Sequence, residues 1–224
     1  MKDFTIQSQK DLEDAAAEFG FLPFFSNEIR GFSVEEHTPS SFWFNDQQDG
    51  PWEWKGRIAV KGKLVYGKFF RKKAGFVSLR WFADFANYRR NGYDFDSRCE
   101  EGLVSNMDQR LYELIQSHHA LETRTLKTYA YQGQKDKGFD TSITRLQMQT
   151  YLNIRDFVYP LDKHGKPYGW GISEYTTPEE MFGAKKITSA YEKDPLESKE
   201  RIVRHLKLKL GSEYEELIRR LIAI

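Results

Sequence analysis

Apolar and polar positions alternate along the chain with two periods. Leu12, Ala15, Ala16 and Phe19 share one helical face, with Ser8 placed to cap and Gly20 to stop, so the spacing predicts a first helix ending at Phe19. The aromatic connector FLPFFSNEIRGFSVEEHTPSSFWFNDQQDGPWEWKG is broken by Pro23, Gly31, Pro39 and Gly50–Pro51, which predicts turns and short helices. KLVYGKFF (63–70) and AGFVS (74–78), on either side of a basic turn at Arg71–Lys73, read as a β-hairpin. Ser78 is placed to cap the next helix, LRWFADFANYRRN, whose Leu79, Phe82, Phe85 and Ala86 form an apolar stripe ended by Gly92.

The acidic stretch YDFDSRCEEGLV (93–104) reads as a linker and a domain boundary. Beyond it, SNMDQRLYELIQS (105–117) places Met107, Leu111, Leu114 and Ile115 on one helical face. A second short helix is expected at LETRTLKTYA (121–130), then a polar loop, QGQKDKG, then a third helix, TSITRLQMQTYLNIRDF (141–157), capped by Asp140. VYPLDKHGKPYGWGISEYTT predicts two strands around a turn at 162–167. Helix, helix, helix, hairpin is the order of a winged helix. Thr177, Pro178 and Glu180 start a further short helix, and a last helical pair, 195–210 and 213–223, is split at Gly211–Ser212. The units expected are 1–92, 93–183 and 184–224, with no repeat of a fixed short period.

Charge changes the picture more than composition does. The formal net charge is only +1, yet residues 1–54 carry three Lys/Arg against eleven Asp/Glu and residues 55–90 carry eleven against one. Such asymmetry points to a polyanionic partner, or to a basic segment neutralised by the acidic one. The basic hairpin, with Lys63, Lys68, Arg71, Lys72 and Lys73, and the second turn, with Lys163, His164 and Lys166, are suited to a phosphate backbone. On the third helix, Thr141, Thr144, Arg145, Met148 and Gln149 form the outward set, with Arg145 the cation among them. A single cysteine, Cys99, excludes a disulfide framework, and the five histidines have no metal-ligand spacing, so no metal and no cofactor are expected. The absence of a signal core or a long apolar run predicts a cytoplasmic protein with no membrane partner.

Gln147 and Gln149 are the remaining candidates for chemistry. On a regular helix they lie ~200° apart, with Gln147 toward the core and Gln149 outward beside Arg145 and Leu152, so they converge on one ligand only if the helix is broken there.

Three stretches, GKLVYGKFFRKKAGFVSLRWFADFANYRR, KGFDTSITRLQMQTYLNIRDF and KHGKPYGWGISEYTTPEEMFG, resemble the bacterial AlkZ-related proteins, distant relatives of the AlkZ/YcaQ winged-helix DNA glycosylases. The resemblance spans roughly residues 50–183. It implies an α+β fold of tandem winged-helix-like units with β-hairpin wings and a C-terminal helical extension, and double-stranded DNA as partner, in alkylation-damage repair. It also implies that Gln147–Met148–Gln149 matches a glutamine–apolar–glutamine motif, in which Gln147 and Gln149 would orient water or a damaged nucleotide during N-glycosidic hydrolysis. The competing expectation is a non-catalytic interaction module that binds a protein partner.

Overall fold

The computed structural model describes residues 4–44, 48–132 and 137–224; most of the polar loop expected at 132–138 lies outside them. Helix α1 (Gln9–Phe19) forms as its pattern demands. The Ser8 side chain accepts from the Asp11 N–H, and Leu12, Ala15, Ala16 and Phe19 are buried. Gly20 ends the helix at φ +75°. Then follow β1 (Phe21–Pro23), α2 (Val34–His37), α3 (Pro51–Lys61), β2 (Leu64–Phe70), β3 (Lys73–Ser78) and α4 (Leu79–Arg90). Ser78 stands at the start of α4, but its buried hydroxyl makes no capping bond. The acidic linker contains a short helix, α5 (Phe95–Glu100). The second half runs α6 (Asn106–His118), β4 (Leu121–Glu122), α7 (Thr123–Tyr131), α8 (Phe139–Met148), β5 (Asn153–Val158) and β6 (Ile172–Thr176). Helices α9 (Pro178–Phe182), α10 (Ala184–Ile187), α11 (Pro195–Leu210) and α12 (Glu215–Ile222) complete it.

All six strands form one antiparallel sheet in the order β1-β3-β2-β5-β6-β4. Each half of that sheet is built alike, from a helix, a short edge strand, a helical stretch, a second helix and a hairpin whose return strand inserts between the other two. The halves meet where Tyr66 of β2 pairs with Ile154 of β5. Equivalent positions around this join are 88 residues apart: Pro51 and Phe139 begin α3 and α8, and Tyr66 and Ile154 pair. Gly62 and Thr150, at φ +67° and +65°, turn the chain from helix to strand. The packing is reciprocal, α8 lying on β2 and α3 on β5.

The helix expected over 141–157 is therefore corrected. It ends at Met148, Gly138 rather than Asp140 holds its N-cap position, and residues 153–158 are strand. Gln149 and Leu152, expected to face outward, are buried. The break is imposed from outside the segment. Arg90 donates to the Thr150 carbonyl (2.6 Å) and hydroxyl (3.2 Å), and Arg89 donates to the carbonyls of Met148 (2.6 Å) and Phe69 (2.7 Å). A β-branched residue at positive φ is a steric outlier costing about 1–3 kcal/mol. Charge-assisted hydrogen bonds contribute about 1.5–3 kcal/mol each, which is enough to hold it.

One core position is unusual. Lys55 stands where the second half has Ile143, and it is buried against the Trp52 and Phe157 rings with its ammonium donating to the Trp52 carbonyl (2.7 Å). Burial pushes its pKa down from 10.5 to about 8. Above pH 8 the folded chain has lost a proton that the unfolded chain retains, so this group adds stability as pH rises. Chemical denaturation between pH 8 and about 9.5, below the ionisation of unfolded tyrosines, is expected to show a steeper rise for the wild type than for Lys55→Met, by up to about 1.4 kcal/mol per pH unit. Parallel curves would remove Lys55 as the source.

Candidate nucleic-acid interface

The β2–β3 hairpin closes with Phe70 opposite Lys73, leaving Arg71 and Lys72 as a two-residue loop. Both have positive φ, +49° and +67°, the pattern of a type I′ turn, in which Asn-Gly is the favoured pair. Arginine and lysine there cost about 1–2 kcal/mol each. The tip is fixed by the Lys72 N–H, which donates to the Met148 sulfur at 3.2 Å, docking it on the end of α8.

This docking creates a groove of about 490 Å³ between hairpin and helix, lined by Lys68, Lys72, Asp140, Thr141, Thr144, Arg145, Met148 and the last residue, Ile224. Of the cations expected to meet a backbone, Lys68, Lys72 and Arg145 are brought together here. The Lys68 ammonium lies 3.4 Å from the Thr144 hydroxyl, and among the described residues neither lysine has an ion-pair partner. Arg145 is engaged: it makes two 2.7 Å hydrogen bonds to buried Asp108 and further bonds to Ser105 and Ser142. The bond to Asp108 raises its pKa. Asp140 is balanced by Lys127 at 3.3 Å.

The floor is sealed from below. Gln147 is fully buried; its carbonyl accepts from the Lys68 N–H (3.0 Å) and its NH₂ donates to the Ile143 carbonyl (3.0 Å), tying α8 to β2. Gln149 is 9% exposed and its amide meets no hydrogen-bond partner among the described residues. Arg89 lies fully buried beneath Met148 with no carboxylate, and burial lowers its pKa to about 9, leaving it a cation at neutral pH. Burial also opposes the charge on Arg90, but Glu179 and Tyr191 outweigh it and raise that pKa.

The other predicted cations lie elsewhere. Arg71 pairs with Glu28 at 3.2 Å, Lys73 donates to the Ser26 carbonyl at 3.2 Å, and Lys63 lies near Glu13 at the far end of β2. Lys163, His164 and Lys166 are exposed in the β5–β6 loop, where the Asp162 carboxylate accepts from the N–H groups of His164 (2.8 Å) and Lys166 (2.9 Å). Since β2 and β5 are antiparallel neighbours, the two basic tips leave the sheet in opposite directions. Tyr168 and Trp170 are exposed beside the second tip, and Trp170 packs edge-on against Trp52 at 5.9 Å. Their exposure has no signature in the sequence, because a tyrosine and a tryptophan beside a turn read equally well as core.

The counterpart groove of the first half, about 690 Å³, lies between the free face of α3 and the β5–β6 hairpin. Its cations are neutralised, Arg57 by Asp49 (2.6 Å) and Lys61 by Glu13 (2.5 Å). The acidic N-terminal stretch thus silences one groove and leaves the lysines of the other without ion-pair partners.

Gln147→Ala should cost about 1–3 kcal/mol in urea denaturation, because it leaves the Lys68 N–H without its buried acceptor, whereas Gln149→Ala should change stability by under about 0.5 kcal/mol. Equal effects would contradict the asymmetry between the two glutamines.

The chain belongs to the AlkZ-related family: the profile described as AlkZ related matches residues 6–223. No curated protein and no solved structure matches it.

Proposed function

We propose that this AlkZ-related chain binds double-stranded DNA, as a pair of winged-helix units that grip the phosphate backbone chiefly at the β2–β3 tip and the adjoining α8 groove. The order helix, strand, helix, helix, hairpin, with the return strand in the middle, supports a winged helix in each half, the units falling near 1–92 and 93–183 and the rest forming the extension. The observation that carries the reading is the left-handed Arg71–Lys72 tip. A turn that folds best as Asn-Gly retains two cations at a cost in stability, which is the expected compromise where the side chains serve a ligand. Lys68, Lys72 and the hydroxyls of Thr141 and Thr144 supply donors along the groove, while Lys163, His164 and Lys166 would meet a separate stretch of backbone beyond the opposite end of the sheet.

The family likeness supports, as part of this proposal, a role in alkylation-damage repair. Were the bound DNA also hydrolysed at an N-glycosidic bond, the positioning would fall to Gln149, since both ends of the Gln147 amide are occupied inside the protein.

Anisotropy of a short duplex across salt concentrations tests the reading. The expected log–log slope is several units, each phosphate neutralised adding about 0.9. The double variant Arg71→Asn/Lys72→Gly should lose about 2 units of slope and bind more weakly, yet be more stable by about 1–4 kcal/mol, the strain relieved at two residues less the Arg71–Glu28 pair. No binding at low salt would retire the DNA reading and leave the winged helices to a protein partner.

A further inference from the structure

Behind the same tip, between the end of β2 and α12, opens a small pocket of about 190 Å³. Phe25, Phe70, Leu217 and Leu221 wall it, and the exposed side chains of Arg71 and Lys73 stand at its mouth. The interior offers no unmet polar demand: the Asn27 amide that also lines it is satisfied by the Phe32 carbonyl (2.8 Å) and the Ile29 N–H (2.9 Å). The mouth is cationic. Glu28 places one carboxylate oxygen between two guanidiniums, Arg71 at 3.2 Å and Arg220 at 2.9 Å, and Lys73 bonds only a backbone carbonyl. One negative charge thus stands against three positive ones.

An apolar interior with aromatic walls and a cationic mouth selects a flat, weakly polar ring attached to an anion. Size agrees: an apolar cavity of ~150 Å³ accepts a benzene ring, so this pocket holds a single base and excludes a peptide helix. We infer that the pocket receives the base of a nucleotide whose phosphate is held by Arg71 and Lys73. The inference takes its source from the DNA reading, an unpaired nucleotide of a DNA strand; a free nucleoside monophosphate has the same chemistry. It also gives the strained tip a second task, since Arg71 belongs to both the hairpin loop and the pocket mouth.

The test compares a matched duplex, the same duplex with a single bulged 2-aminopurine, and adenosine monophosphate. The bulged duplex should bind about five-fold tighter or more, the scale of one base stacking on an aromatic side chain, with a drop in 2-aminopurine emission. Leu217→Trp, which fills the pocket at a half-buried position, should remove both effects while leaving matched-duplex affinity and its salt slope unchanged. Equal wild-type affinity for bulged and matched duplexes with unaltered emission would overturn the pocket and leave the DNA reading standing. Monophosphate binding without duplex binding would support the pocket and overturn DNA as its source. Binding of neither would overturn both. The wild-type emission decides even where Leu217→Trp does not fold.

Discussion

The two arginines that end α4 organise the molecule. Arg89 and Arg90 cross from the first half of the sheet to the chain break of the second, and their hydrogen bonds to the oxygens of Phe69, Met148 and Thr150 fix where α8 stops and β5 begins. Burying two guanidiniums is costly, and among the described residues only Arg90 has a carboxylate, Glu179 at 2.5 Å. The Met148 and Thr150 carbonyls, left over where α8 ends, and the Phe69 carbonyl of β2 supply further compensation, although the buried Arg89 Nε meets no partner among the described residues. The arrangement couples its parts: without the arginines Thr150 has no reason to stay left-handed, β5 does not reach Tyr66, and the halves lose their join. In the first half the same turn is made by Gly62, which needs no such support.

The two halves share a plan but not a surface. In each, the second helix presents a free face to the hairpin of the other half, giving two grooves related by the Tyr66–Ile154 join. Carboxylates from the N-terminal segment pair with the cations of one; in the other, Lys68 and Lys72 have no ion-pair partner among the described residues. The net charge of +1 therefore describes neither groove, and the segmental count was informative because it kept the acidic and basic stretches apart.

Local pattern was readable where local pattern decided the structure. Helices α1, α4, α6 and α11 and the basic hairpin follow from apolar spacing, caps and β-rich runs, because each buries a face that its own sequence defines. The 141–157 helix was misread for a physical reason. Ile143, Gln147, Thr150 and Ile154 continue a helical period straight through the break, while the residues that enforce the break are some 60 positions earlier in the chain. The same distance effect hid the partners of the candidate site. Nothing near Arg145 announces Asp108, and nothing near Gln147 announces the Lys68 N–H, so residues that read as an outward set are in part the walls and floor of a groove. The likeness of the halves leaves no periodic signature in the residues because it is kept in backbone conformation and strand order, with Lys55 opposite Ile143 and Gly62 opposite Thr150.

Left-handed residues in this chain are of two kinds, and the contrast bears on function. Thr150 is buried, and its carbonyl and hydroxyl are both gripped by Arg90, so its strain is the consequence of a packing requirement. Arg71 and Lys72 are exposed; among the described residues only the Arg71 side chain of the two has a partner, a half-exposed carboxylate whose pairing contributes at most about 1 kcal/mol. That pairing does not offset two unfavourable backbone conformations, and the Lys72 N–H bond to Met148 would be available to any residue except proline. The folded state thus gains less from arginine and lysine at those two positions than their backbone conformations cost it. What stands there is a pair of exposed cations, with a groove on one side and a pocket of about 190 Å³ on the other; under the proposed DNA binding, the ligand's own negative charge would offset the strain of the turn.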